Sequence, residues 1–196
     1  MALTKDQKII LYIFLAAVVA FTVTFIWQQN FEFIGYVVVV AILMFVLLSS
    51  AKHVNYPNFV LWGLLAWGVL HLLGGVVMGN GQVVYTLVLY PLIGEPYNVL
   101  KYDQVIHAFG FFVATLVMYF VLQKNLLQPF GWKSVGIVVA MAGLGLGALN
   151  EIVEFTMTVT LPNTNVGGYE NTAIDLIANF MGAIAAVFFL KHYTKR

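Results

Sequence analysis

The chain contains no cysteine, so disulfides, thiolate metal sites and cysteine nucleophiles are all excluded. Charge is nearly as scarce. Only 9% of the 196 residues are charged, against about 25% in a soluble domain. The formal net charge is +1, and no basic cluster or nucleic-acid recognition motif occurs, so nucleic acid is not a partner. No His-x-x-x-His pair, nucleophile elbow, phosphate loop, fixed-period repeat or low-complexity tract is found either.

What fills the chain instead is apolar: 62% of its residues are hydrophobic. Six apolar runs stand out, at approximately 9–27, 33–50, 59–78, 103–123, 134–157 and 173–190. Runs near 18 residues or longer read as membrane-spanning helices. The fold class expected is an all-α polytopic membrane bundle of six transmembrane helices, forming a single integral membrane domain over 1–196. The first run, Ile9 to Trp27, follows a charged start and is followed by no small-residue cleavage site. It reads as a retained helix rather than a signal peptide. The connection 79–102 holds "VVYTLVLYPLIG", which is apolar but too short to span. It is expected to be interfacial or re-entrant and packed on protein.

Lysine and arginine set the orientation. With the N-terminus in the cytoplasm, Lys5, Lys8, Lys52, Lys124, Lys133, Lys191, Lys195 and Arg196 lie inside, and only Lys101 lies outside. The positive-inside rule therefore predicts N-in and C-in, with a location in the cell membrane as a multi-pass protein.

In this topology the intramembrane polar residues fall at one depth, in the outer leaflet. His71 lies late in the third span, and Asp103 and His107 lie early in the fourth. Asn150, Glu151 and Glu154 end the fifth, and Asp175 and Asn179 begin the sixth. Residues three or four apart share a helix face, so Asp103 and His107 point together, as do Glu151 and Glu154, and Asp175 and Asn179. Ionisable groups are costly in hydrocarbon and should face the bundle interior. Single residues have plainer explanations. Asp103 can cap its helix, Asp175 can favour the helix dipole, and a lone His71 can be a packing residue. Acids at a helix C-terminus oppose the dipole, so Glu151 and Glu154 have no such role. His53 and His192 read as solvent-facing. Gly74, Gly75, Gly143, Gly145, Gly147 and Gly182 suit close helix approach.

A histidine and carboxylate set without cysteine suits zinc, manganese or iron, and its carboxylates also tolerate magnesium or calcium. The expected ligands are His71, Asp103, His107 and Glu151. Glu154 is expected as general base on metal-bound water, with Asp175 beside it among the catalytic residues. No organic cofactor is implied. The reaction class expected is hydrolysis or group transfer on a lipid or cell-envelope precursor. A proton- or cation-coupled transporter and a purely structural polar network account for the same residues.

The motifs "HLLGG" at His71, "YDQVIHAFG" from Tyr102, "EIVE" at Glu151 and "DLIANFMGA" from Asp175 resemble those of the YjdF-like inner-membrane proteins, over roughly residues 60–190. Asn171 stands where such sequences tend to carry an aspartate, and the last helix is more similar to the VanZ-like family. The resemblance implies a shared outward-facing site. VanZ-like proteins are associated with low-level glycopeptide resistance, and the resemblance implies no particular substrate.

Overall fold

The computed structural model describes residues 4–51, 53–125 and 131–194. Lys52, Lys195 and Arg196, three of the cations expected inside, lie outside the described residues. The described chain forms helices α1 (Lys5–Trp27), α2 (Phe31–Ala51) and α3 (Asn58–Gly74). A single 3-10 turn (Val84–Thr86) and an antiparallel hairpin of β1 (Val88–Ile93) and β2 (Val99–Lys101) follow. Helices α4 (Tyr102–Asn125), α5 (Trp132–Thr160) and α6 (Tyr169–Tyr193) complete it.

Local chemistry fixes the element ends. Thr4 caps α1 through a reciprocal pair with Gln7 (3.3 and 3.1 Å). The Asn30 side chain accepts from the Phe33 backbone N–H at 3.2 Å and so caps α2. Gln104 Oε1 accepts from the backbone N–H groups of Leu100 and Lys101 at 2.6 and 3.0 Å. It holds the hairpin to the first turn of α4, where Leu100 adopts φ +78°.

Five helices are long and apolar enough to cross a membrane, and α3 is shorter at 17 residues. Their exposed hydroxyls suit lipid. Thr24, Ser49, Thr156 and Thr160 each donate to a carbonyl four residues back in their own helix. These four hydroxyls then present no free donor to hydrocarbon. Helix α4 packs most extensively on α6, then on α5 and α3.

Side-chain ties show which ends lie together. Asn58 donates to Asp6 at 2.6 Å, joining the starts of α1 and α3. At the other end, Asn30 donates to the Gly75 carbonyl at 2.9 Å, and Gln28 bonds both backbone groups of Val77. The α1–α2 turn therefore sits beside the end of α3.

Three expectations change. The third span was expected over 59–78, but α3 stops at Gly74, because the backbone beyond it is taken by Asn30 and Gln28 and by a bridge between Val77 and Val83. The connection 79–102 was expected to pack on protein, yet every residue of β1 is exposed, and the all-α bundle carries this one hairpin among the described residues. Helix α6 begins at Tyr169 rather than near 173, which puts Asp175 in its second turn.

Two apolar clusters divide the bundle. The larger includes Val60, Leu65, Leu116, Val139 and Leu190; the smaller, around Phe25, Phe33, Tyr36 and Leu72, lies nearer the α1–α2 turn. The polar residues gather at that second end.

Candidate metal centre

His107 is the hub. It lies one turn into α4, is 4% exposed, and is surrounded by carboxylates from three helices. Close approach of α4 and α6 makes this possible. A Cβ on Gly182 would strike the backbone carbonyl of Ala108, so only glycine lets α6 lie this near. Gly143 and Gly147 likewise accommodate Thr115 and Asn179, whereas Gly145 faces open space. Of the three glycines in "GLGLG", only the outer two serve the close packing.

The two nitrogens of His107 have different surroundings. Asn179 Oδ1 lies 3.0 Å from Nδ1. An amide oxygen only accepts, so this contact is a hydrogen bond when Nδ1 carries the proton. Nε2 faces Asp103 Oδ1 at 3.4 Å and Glu154 Oε1 at 3.6 Å. Glu151 Oε1 lies 3.7 Å from Nδ1. A bare lone pair facing two carboxylates is repulsive, and either a proton on Nε2 or a cation between the groups relieves it.

Asparagines orient the acids. Asn171 donates to Asp175 Oδ2 and, at 3.5 Å, to Asp103 Oδ2. Asn150 donates to Glu154 Oε1 at 2.7 Å. Both oxygens of Glu151 and Oδ1 of Asp175 remain buried with no hydrogen-bond partner among the described residues. Buried acceptors without partners are rare and expensive.

Ligand atoms of Asp103, His107 and Asp175, and of His107, Glu151 and Glu154, each lie within 4.8 Å of one another. Ligand atoms sharing a metal through bonds of about 2.1 Å stand roughly 3.0–3.4 Å apart, so these contacts need only small adjustment. The structure thus brings Asp103, His107, Glu151, Glu154 and Asp175 together. His71 stands in neither group. Its Nδ1 shares a short hydrogen bond with the Tyr85 hydroxyl, and its ring stacks on Trp67 at 5.3 Å. Burial pushes the Tyr85 phenol well above its ordinary pKa, so the hydroxyl keeps its proton. Asp103 lies inside α4 rather than capping it, and His53 and His192 are exposed, as expected.

Beside the hub is a cleft lined by Glu32, Phe33, Tyr36, His71, Tyr85, Asp103 and Glu154, with Asn165, Val166 and Asn171 at its rim. Glu32 is 4% exposed. Its Oε2 accepts from the backbone N–H and the Nδ2 of Asn165 at 2.7 and 3.0 Å, strapping the α5–α6 connection over the cleft. Sequence reasoning gave Glu32 no role. An acid one residue into a helix has an ordinary dipole explanation, and its partner lies 133 residues away. Tyr85 and Asn165 carried no signal.

The family model described as "Predicted membrane protein (DUF2238)" matches residues 9–196. The chain belongs to this family. It is a multi-pass membrane protein, in keeping with its apolar helices. It is also similar to a Thermotoga maritima protein described only as "Uncharacterized protein", at 34% identity over 102 residues, 48% of this chain and 52% of that one. The match thus spans about half the length of that curated relative. No solved structure matches.

Proposed function

We propose that the protein is a metal-dependent membrane enzyme, a hydrolase or transferase acting on a lipid or envelope precursor from the outer face. The chain crosses the membrane six times with both termini inside, α3 completing its crossing with the non-helical residues beyond Gly74. The observation that carries the metal reading is His107 Nε2 facing Asp103 and Glu154, with oxygens of Glu151 and Asp175 that have no partner among the described residues. The His107 imidazole with the carboxylates of Asp103 and Glu151 is an oxygen-rich donor set, which favours manganese or iron, with zinc next. A bound divalent ion would supply an acidified water and polarise a carbonyl or phosphoryl oxygen. Glu154, held by Asn150 and lining the cleft, is placed to accept a proton there, with Asp175 as a further acid. His71 serves the cleft wall rather than the ion.

The YjdF-like resemblance agrees with membership of the matched family, whereas VanZ-like character rests on the last helix alone. A transport reading has less support. Below His107 the bundle interior is the apolar cluster around Leu116, Val139 and Leu190, and the buried Thr115 hydroxyl is spent on the Phe111 carbonyl. A polar path across the membrane would need acceptors there.

Element analysis of the detergent-purified protein tests the proposal. Wild type should retain about stoichiometric metal, and His107→Ala and Glu151→Ala should lose most of it. Equal and negligible metal in all three would overturn the reading in favour of a self-satisfied polar network.

A further inference from the structure

The cleft beside His107 has a chemistry of its own. Its aromatic wall is formed by Phe33, Tyr36 and Tyr85, with ring centroids of Phe33 and Tyr36 5.0 Å apart and of Phe33 and Tyr85 5.7 Å apart. Its acids are Glu32, Asp103 and Glu154, and among the described residues its lining holds no lysine or arginine. Both hydrogen bonds to Glu32 fall on Oε2, so Oε1 of this nearly buried carboxylate has no partner among the described residues. Few donors nearby are free: the Tyr36 hydroxyl has no hydrogen-bond partner among the described residues, and Lys101 Nζ stands behind the lining on Asn171 Oδ1 at 3.4 Å. Asn165 gives both its N–H and its Nδ2 to Glu32, and Tyr85 is engaged with His71.

With three carboxylates and no cation in its lining, the cleft suits a ligand that brings positive charge. A phosphate would meet three carboxylates, and a purely apolar group would leave Glu32 uncompensated. We propose that this cleft binds an alkylammonium group, its charge facing Glu32 and its carbon substituents against the Phe33, Tyr36 and Tyr85 rings. Aromatic faces attract such cations, and a buried carboxylate strengthens the attraction. The site goes beyond the metal reading and does not rest on it, because Glu32 and the three rings are in neither donor group around His107. An ammonium headgroup on a lipid and a free small amine share this chemistry.

The test uses the full chain. Detergent-purified protein, stripped of metal by chelation, is titrated calorimetrically with ethanolamine and with choline. In parallel, the chain in nanodiscs of mixed phosphatidylethanolamine and phosphatidylglycerol is released for native mass spectrometry. Saturable binding of a free amine supports the proposal with a soluble ligand, and selective retention of phosphatidylethanolamine supports it with a lipid. Glu32→Gln and Tyr36→Leu, checked for wild-type circular dichroism, should each weaken binding by about tenfold. Absence of both kinds of binding by the wild type overturns the proposal, and so does unchanged binding by both folded variants. Because the titration is metal-free, a chain that binds amine but never retains metal would remove only the metal reading.

Discussion

Asn179 Oδ1 sits 3.0 Å from His107 Nδ1, and this contact across the α4–α6 interface orients the ring so that Nε2 faces Asp103 and Glu154. An amide that fixes the tautomer and tilt of a ligand histidine acts on affinity without touching the ion. Asn179→Ala should therefore lower metal affinity by about 10- to 100-fold while leaving a site that fills at higher metal concentration. Competition against a fluorescent chelator measures this. Wild-type affinity in the variant would mean that the ring is oriented by something other than the amide.

The same interface depends on Gly182. An added methyl would press on the Ala108 carbonyl, which is backbone and cannot swing aside. Gly182→Ala should cost about 1–3 kcal/mol of stability and lower metal occupancy, because Asp175 and Asn179 move away with α6. Gly145→Ala is the control, since its methyl would meet open space. Thermal unfolding in detergent, with metal content measured on the same samples, separates the two. Equal melting temperatures for both variants would contradict the packing described.

Glu32 and Asn165 join the first turn of α2 to the connection after α5 with bonds of 2.7 and 3.0 Å. Asn165→Ala keeps the backbone bond and removes the side-chain one. Hydrogen exchange over 161–168 should quicken about tenfold or more, since a charge-assisted bond contributes about 1.5–3 kcal/mol when partly buried. Metal content should stay at the wild-type value, because neither residue belongs to a donor group. Unchanged exchange would show that the strap is held elsewhere.

The legible parts of this molecule were those set by composition and helical spacing. Pairs four apart, Asp103 with His107 and Asp175 with Asn179, share faces because α-helix geometry requires it, and six long apolar runs leave few alternatives to a bundle. What stayed hidden was nonlocal. The end of α3 is fixed by Asn30 and Gln28, 45 and 49 residues from their partners, and no local pattern announces that. His71 looked equivalent to His107 by type and depth, yet the ring at its back is Trp67 and its Nδ1 partner is Tyr85, on a segment with no helical period. The hairpin was obscured for a similar reason: "VLYPLI" carries a proline and no alternation, so its strand pairing depends on β2.

The absence of cysteine makes the orientation directly testable. Asn55, in the α2–α3 connection, and Asn163, in the α5–α6 connection, are both exposed, and the alternation of helices places them at opposite ends of the bundle. Single-cysteine variants Asn55→Cys and Asn163→Cys introduce the sole thiol in each chain. With both termini inside, a membrane-impermeant maleimide added to intact cells should label Asn163→Cys and spare Asn55→Cys until the membrane is opened. The reverse pattern would turn the His107 cluster toward the cytoplasm. Substrates on the external leaflet would then lose access to Asp103 and Glu154, and the envelope-precursor reading would fail with them, while the geometry around His107 would stand.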